Sequence, residues 1–89
     1  MTLTPTGKPL RVGSRYRLTC DSFFMYDGVE NSSSCREILY EGEEFVVLHV
    51  CEATIDGRPL GYLIYKVIVR SGDVGYVGYP IVDVCVEIA

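Results

Sequence analysis

Residues 64–79 read IYKVIVRSGDVGYVGY, and this stretch decides the fold class. Leu63, Tyr65, Val67 and Val69 recur at every second position over residues 62–70, the period of a strand with one buried face. Ser71-Gly72-Asp73 is a tight turn, because glycine tolerates the positive φ that short hairpins require. Residues 74–78 make a short returning strand. Gly78-Tyr79-Pro80 then breaks the chain before residues 81–88, where Val82, Val84, Val86 and Ile88 alternate with Asp83, Cys85 and Glu87. Two strands, a hairpin turn, a break and a closing strand indicate an antiparallel all-β domain.

The upstream half extends this reading. Residues 1–9 form an irregular lead-in rich in Thr and Pro. Residues 10–20 read as a first strand, with Tyr16, Leu18 and Cys20 on one face and Arg15, Arg17 and Thr19 on the other. A long excursion over residues 21–34 follows, then a short strand at 35–40 and a turn at Glu41-Gly42-Glu43. Residues 44–53 carry apolar side chains on both faces, as a central or covered strand does. Asp56-Gly57 opens a loop that closes at Pro59-Leu60-Gly61. No helix, repeat or low-complexity tract is evident.

Composition sets the outer bounds. Eighty-nine residues, 48% hydrophobic and 22% charged, suffice for one domain, which at this size buries roughly 60–65% of its unfolded surface. Seven Tyr, three Phe and no Trp fit a β-rich chain. No apolar run approaches the roughly 18 residues of a membrane span, and residues 1–14 hold no apolar signal core. With Met1 in place, a cytoplasmic, stand-alone product is expected. Cys20, Cys35, Cys51 and Cys85 are then expected to be buried free thiols rather than disulfides. They contain no C-x-x-C pair, so no metal site is expected. The net charge of −4 disfavours nucleic acid, since phosphate repulsion precedes any contact. The charge is uneven: Lys8, Arg11, Arg15 and Arg17 precede any acid, whereas residues 21–57 are acidic with Arg36 alone opposing. Pairing of the basic first strand with the acidic segment is the simplest account.

Residues 39–87 resemble the Src-homology-3-like small barrels. LYEGEEFVVLHV looks like that family's entry into its central strand, IYKVIVRSGDVGYVGY like its next hairpin, and Gly78-Tyr79-Pro80 like the break before its closing strand. The resemblance implies a small five- to six-stranded antiparallel barrel, with residues 21–34 standing where the family has its long first loop. Peptide-binding members use an acidic cluster and a Trp beside an aromatic groove. This chain has no Trp, and Tyr62 or Tyr65 stands nearest that place.

Chemistry is sparse. His49 is the one histidine and lacks the nucleophile and orienting group that catalysis would need. No phosphate-binding loop is present, so neither enzymatic activity nor a cofactor is expected. The notable stretch is Phe23-Phe24-Met25-Tyr26, whose four large side chains cannot all face one core in an extended chain. They either cap an open barrel end or offer exposed aromatics beside Asp27 and Glu30, suited to a partner's apolar residue with a nearby cation. Phe23, Phe24, Tyr26, Asp27, Glu30, Tyr62 and Tyr79 are therefore the candidate contacts of a non-catalytic protein-interaction module, of the kind found among accessory or phage-borne proteins. Two alternatives stand beside it. One is self-assembly into a homo-oligomer through the apolar strand at 82–88. The other is an oligonucleotide-binding barrel using Arg11, Arg15 and Arg17.

Overall fold

A computed structural model of the chain describes residues 9–88; the expected lead-in, apart from Pro9, lies outside the described residues. Seven strands follow one another: β1 (Arg15–Leu18), β2 (Ser22–Tyr26), β3 (Cys35–Tyr40), β4 (Glu44–Ile55), β5 (Arg58–Val69), β6 (Val74–Gly78) and β7 (Cys85–Glu87). A 3-10 turn at Tyr79–Asp83 separates the last two. All pair antiparallel in one sheet of order β3-β2-β6-β5-β4-β1-β7. The all-β expectation holds. The count is seven rather than five or six, and the sheet is open, because its edges β3 and β7 are not paired to each other among the described residues.

A flat sheet of seven strands would be about 30 Å wide and about 10 Å thick. The smallest extent of the molecule is 24 Å, so the sheet curls around its buried face. Alternate residues fill that face: Tyr16 and Leu18 from β1, Phe45 and Val47 from β4, Tyr65, Val67 and Val69 from β5, and Val77 from β6. The two buried tyrosines keep their hydroxyls satisfied. Tyr65 accepts a hydrogen bond from the Leu10 amide at 3.3 Å and Tyr16 one from the Arg11 amide at 2.8 Å. Leu63 shares the inward side of β5, as expected, but stands beyond the end of the core and is exposed.

Four segments depart from the sequence reading. The first strand, expected over residues 10–20, spans only Arg15–Leu18 behind a turn at residues 12–13. The excursion at 21–34 contains β2, which forms a hairpin with β3 in the register Phe23↔Leu39 and Phe24↔Ile38. The expected loop at 56–61 shrinks to a two-residue turn. Asp56 and Gly57 take φ values of 50° and 77°, and such positive pairs match the twist of the flanking strands. Thr54↔Pro59 and Ile55↔Arg58 then pair directly. The expected strand at 81–88 becomes the 3-10 turn plus the three-residue β7. Consecutive Ile81 and Val82 are both buried, which a strand covered on one face cannot achieve but a turn of three residues per revolution can. Pro80 at the start of that turn gives up no needed amide. β7 does stand at a sheet edge, but Val82, offered for self-assembly, faces the core.

Arg15 and Arg17 of the basic first strand meet the acidic segment, as expected, whereas Arg11 pairs outside it. Arg15 and Arg17 share Glu44, at 3.9 and 3.3 Å, and Arg11 pairs with Glu87 at 2.6 Å. All four cysteines are free. Cys35 is exposed and the other three are half-buried rather than buried. No helix among the described residues is long and apolar enough to cross a membrane.

Candidate functional site: an aromatic groove floored by glycine

β2 resolves the crowding of Phe23-Phe24-Met25-Tyr26 by strand alternation. Met25 is fully enclosed, Phe23 leans partly on the core, and Phe24 and Tyr26 point outward, Phe24 being 50% exposed. Phe24 and Tyr26 meet edge to face, with ring centroids 6.4 Å apart, a favoured geometry for aromatic pairs.

β2 touches β6 at the single pair Tyr26↔Tyr76, and beyond it a groove opens on the outer face. Its first lobe, about 370 Å³, lies among Ser22, Phe23, Phe24, Tyr26 and Pro80. The second, about 210 Å³, lies between Tyr26, the loop after β2, and Tyr62 and Ile64 of β5. Gly78 belongs to both lobes and pairs with Ile64 across the β5–β6 ladder. Its missing side chain is what leaves the floor open. The backbone there is extended, with φ −71° and ψ 165°, and a Cβ would meet only Pro80 Cδ at 3.4 Å. Glycine is thus not required by conformation at this position; it leaves space. Tyr79, the first residue of the 3-10 turn, packs against Tyr62 at 5.6 Å and steadies the far wall.

The structure therefore gathers Phe23, Phe24, Tyr26 and Tyr62 around one groove, with Tyr79 behind Tyr62. Asp27 sits at the hairpin mouth. Its Oδ1 accepts a hydrogen bond from the Ser34 amide at 3.1 Å, while the residue itself stays exposed. Glu30 has a different task from the one expected. Its carboxylate accepts hydrogen bonds from the Thr54 hydroxyl and from the amides of Asp56 at 2.6 Å and Gly57 at 3.3 Å. The Thr54 hydroxyl foremost, helped by those amides, holds the Glu30 carboxyl below the usual range against the opposing effect of burial. Glu30 and its neighbours also bridge to Thr54 through the backbone. This glutamate fastens the loop that walls the second lobe to the tip of the β4–β5 hairpin, so its oxygens are committed within the fold.

Gly78, Pro80 and Ile64 were missed by the sequence reading. The Gly-Tyr-Pro signal was visible as a chain break, but nothing local reveals that the break borders an opening. His49 is exposed on β4, opposite Lys66. No group of three or more His, Cys, Asp or Glu suited to a metal occurs among the described residues. Comparison with protein-family models, with curated proteins and with solved structures finds no match for this chain.

Proposed function

We propose that this chain is a non-catalytic protein-interaction module that takes an extended peptide segment into the groove between β2, β6 and the 3-10 turn. The observation that carries the reading is the two-lobed groove with aromatic walls and a glycine floor. Exposed aromatic side chains lose little conformational freedom on binding and dominate contact energetics. They stand on β2 and β5 beside a loop pinned through Glu30, so the surface is organised before a partner arrives. Exposed Asp27, which follows Tyr26 in the chain just outside the groove's lining, favours a segment that pairs apolar residues with a lysine or arginine.

We further propose that the scaffold is of the Src-homology-3-like kind. The β2–β3 hairpin occupies the place of that family's long first loop, Ser71-Gly72-Asp73 that of its tight hairpin turn, and the 3-10 turn that of the break before the closing strand. Tyr62 then stands where the peptide-binding members carry Trp, which reduces the apolar area offered and makes for a weaker contact.

The test is selection from a displayed library of extended peptides, followed by fluorescence anisotropy on the enriched sequences. Enriched peptides are expected to hold two apolar residues and a base, and to lose at least tenfold in affinity on Phe24→Ala or Gly78→Leu. The second variant fills the floor without forcing a backbone change. Peptides that bind both variants as well as the parent, or a selection that enriches nothing, would remove the reading.

A further inference from the structure

The outer face of the sheet carries a second surface, at the opposite end of β5 from the aromatic groove. Arg15, Val46, Ile68 and Val74 stand directly opposite one another across β1, β4, β5 and β6, so their side chains share one face. Three of these four are aliphatic and only half-buried, on a face where an uncovered antiparallel sheet is ordinarily polar. Val46 and Ile68 floor a depression of about 480 Å³ whose rim includes Arg15, Glu44 and Arg70, with Val74 beside it on the same face. A neighbouring depression shares Arg15 and Val46 and reaches Ile88, with Glu87 in its lining paired to Arg11.

The charge on this rim runs against that of the molecule. Arg17 lies opposite Glu44 in the β1–β4 register, and Arg70 follows Val69, the partner of Phe45. Glu44 is shared between Arg15 and Arg17, and Arg70 has no ion pair among the described residues. Three guanidiniums thus surround one carboxylate, in a chain whose net charge is −4. The side chains of Arg15 and Arg17 are 61% and 50% exposed, free to turn towards a ligand.

We infer that this depression is a docking site for an acidic, aliphatic-rich segment of a partner protein. The aliphatic floor takes the partner's apolar side chains, and the rim takes its carboxylates through the fork geometry that suits guanidinium to carboxylate. Arg15 and the strand leading to Arg70 are two inter-strand spacings apart, about 10 Å. Three residues of chain in the polyproline-II form, at about 3.1 Å each and three per turn, cover that distance and return to the same face, so carboxylates three positions apart with aliphatic residues between them match the site. Single-stranded nucleic acid fits less well. The aromatic ring nearest the floor, Phe45, is buried, which leaves the bases no stacking platform.

The probe is a fluorescein-labelled peptide of repeating Asp-Ile-Leu, titrated with the full chain and followed by anisotropy. A peptide with Lys in place of Asp and an oligothymidylate of equal charge serve as comparisons. The Asp-Ile-Leu peptide is expected to bind at 50 mM salt and to weaken as salt screens the rim. It is expected to lose about tenfold in affinity with the exposed double variant Arg15→Gln/Arg70→Gln. Ile68→Thr should weaken it without changing the salt slope, and Gly78→Leu should leave it unchanged. The inference is overturned if the peptide does not bind, if the Lys peptide binds equally, or if the double variant binds as the parent does. Tighter binding of the oligothymidylate would equally overturn it, making the face a phosphate-binding surface.

Discussion

Gly75 and Met25 form a contact whose energetics can be worked out in advance. Met25 of β2 is wholly buried, and Gly75 of β6 lies directly beneath it. A Cβ built on Gly75 would stand 2.5 Å from Met25 Cγ, 2.8 Å from Sδ and 2.9 Å from Cε, against about 3.5–4.0 Å for relaxed contact. Forcing that methyl into the packed core costs about 1–3 kcal/mol. Replacing glycine returns about 0.4–1 kcal/mol by narrowing the unfolded ensemble, so Gly75→Ala should destabilise by about 1–2 kcal/mol. Met25→Ala alone should cost about 2–5 kcal/mol through the cavity it leaves. With Met25 already truncated, the same methyl at position 75 enters empty space and should stabilise by about 1 kcal/mol. The two changes are thus expected to couple by about 2–3 kcal/mol. Urea unfolding of the four proteins measures this. At a slope of about 1 kcal/mol per molar, the single Gly75→Ala change should move the midpoint down by about 1–2 M. Additivity within about 0.5 kcal/mol would refute the packing argument and show that the methionine has room to move aside.

Further outcomes follow from the loop, the turn and the thiols. The Glu30 carboxyl titrates below its ordinary range in the fold, so its stabilising effect is complete above the unfolded-state value and fades as pH falls through the lowered folded value. The difference in melting temperature between the parent and Glu30→Gln should therefore be greatest near neutrality and close in acid. A difference constant with pH would remove the role given to the charge. Gly57→Ala should destabilise by about 1–2 kcal/mol in denaturant, since open space surrounds it but its φ of 77° burdens any side chain. Gly57→Asn should cost less, and equal loss for both would argue against a backbone origin. Burial foremost, together with the nearby Cys20, pushes the Cys85 thiol up to about 11. Iodoacetamide at pH 7.5 should modify exposed Cys35 well before Cys85, read by peptide mapping, and the reverse order would contradict the placement of Cys85 against the core.

The hairpin of β5 and β6 was legible in residues 62–78 because its information is local. A period of two along the chain and a Ser-Gly-Asp turn require no knowledge of distant residues. The same holds for β3 and for the central place of β4, although the second face of β4 stays uncovered, with Val46 half-buried and Leu48 exposed. β2 was not legible, because Phe23-Phe24-Met25-Tyr26 has no polar alternation to mark its faces. Its strand exists through pairing with β3, and which ring is exposed depends on where Met25 finds the gap above Gly75. The closing segment misled for the opposite reason. Val82, Val84, Val86 and Ile88 carry the period of a strand, yet the need to bury Ile81 and Val82 together at the end of the core imposes the 3-10 turn. In the candidate site, the sequence by itself determined that the large side chains at 23–26 were too many for one core, but not which of them would be spared for a surface. Only the tertiary structure decided that Gly78 leaves a floor between them and that Glu30 turns inward to Thr54, twenty-four positions along the chain. Empty space and long-range hydrogen bonds are properties of residues brought together from far apart, and no pattern along the chain records them.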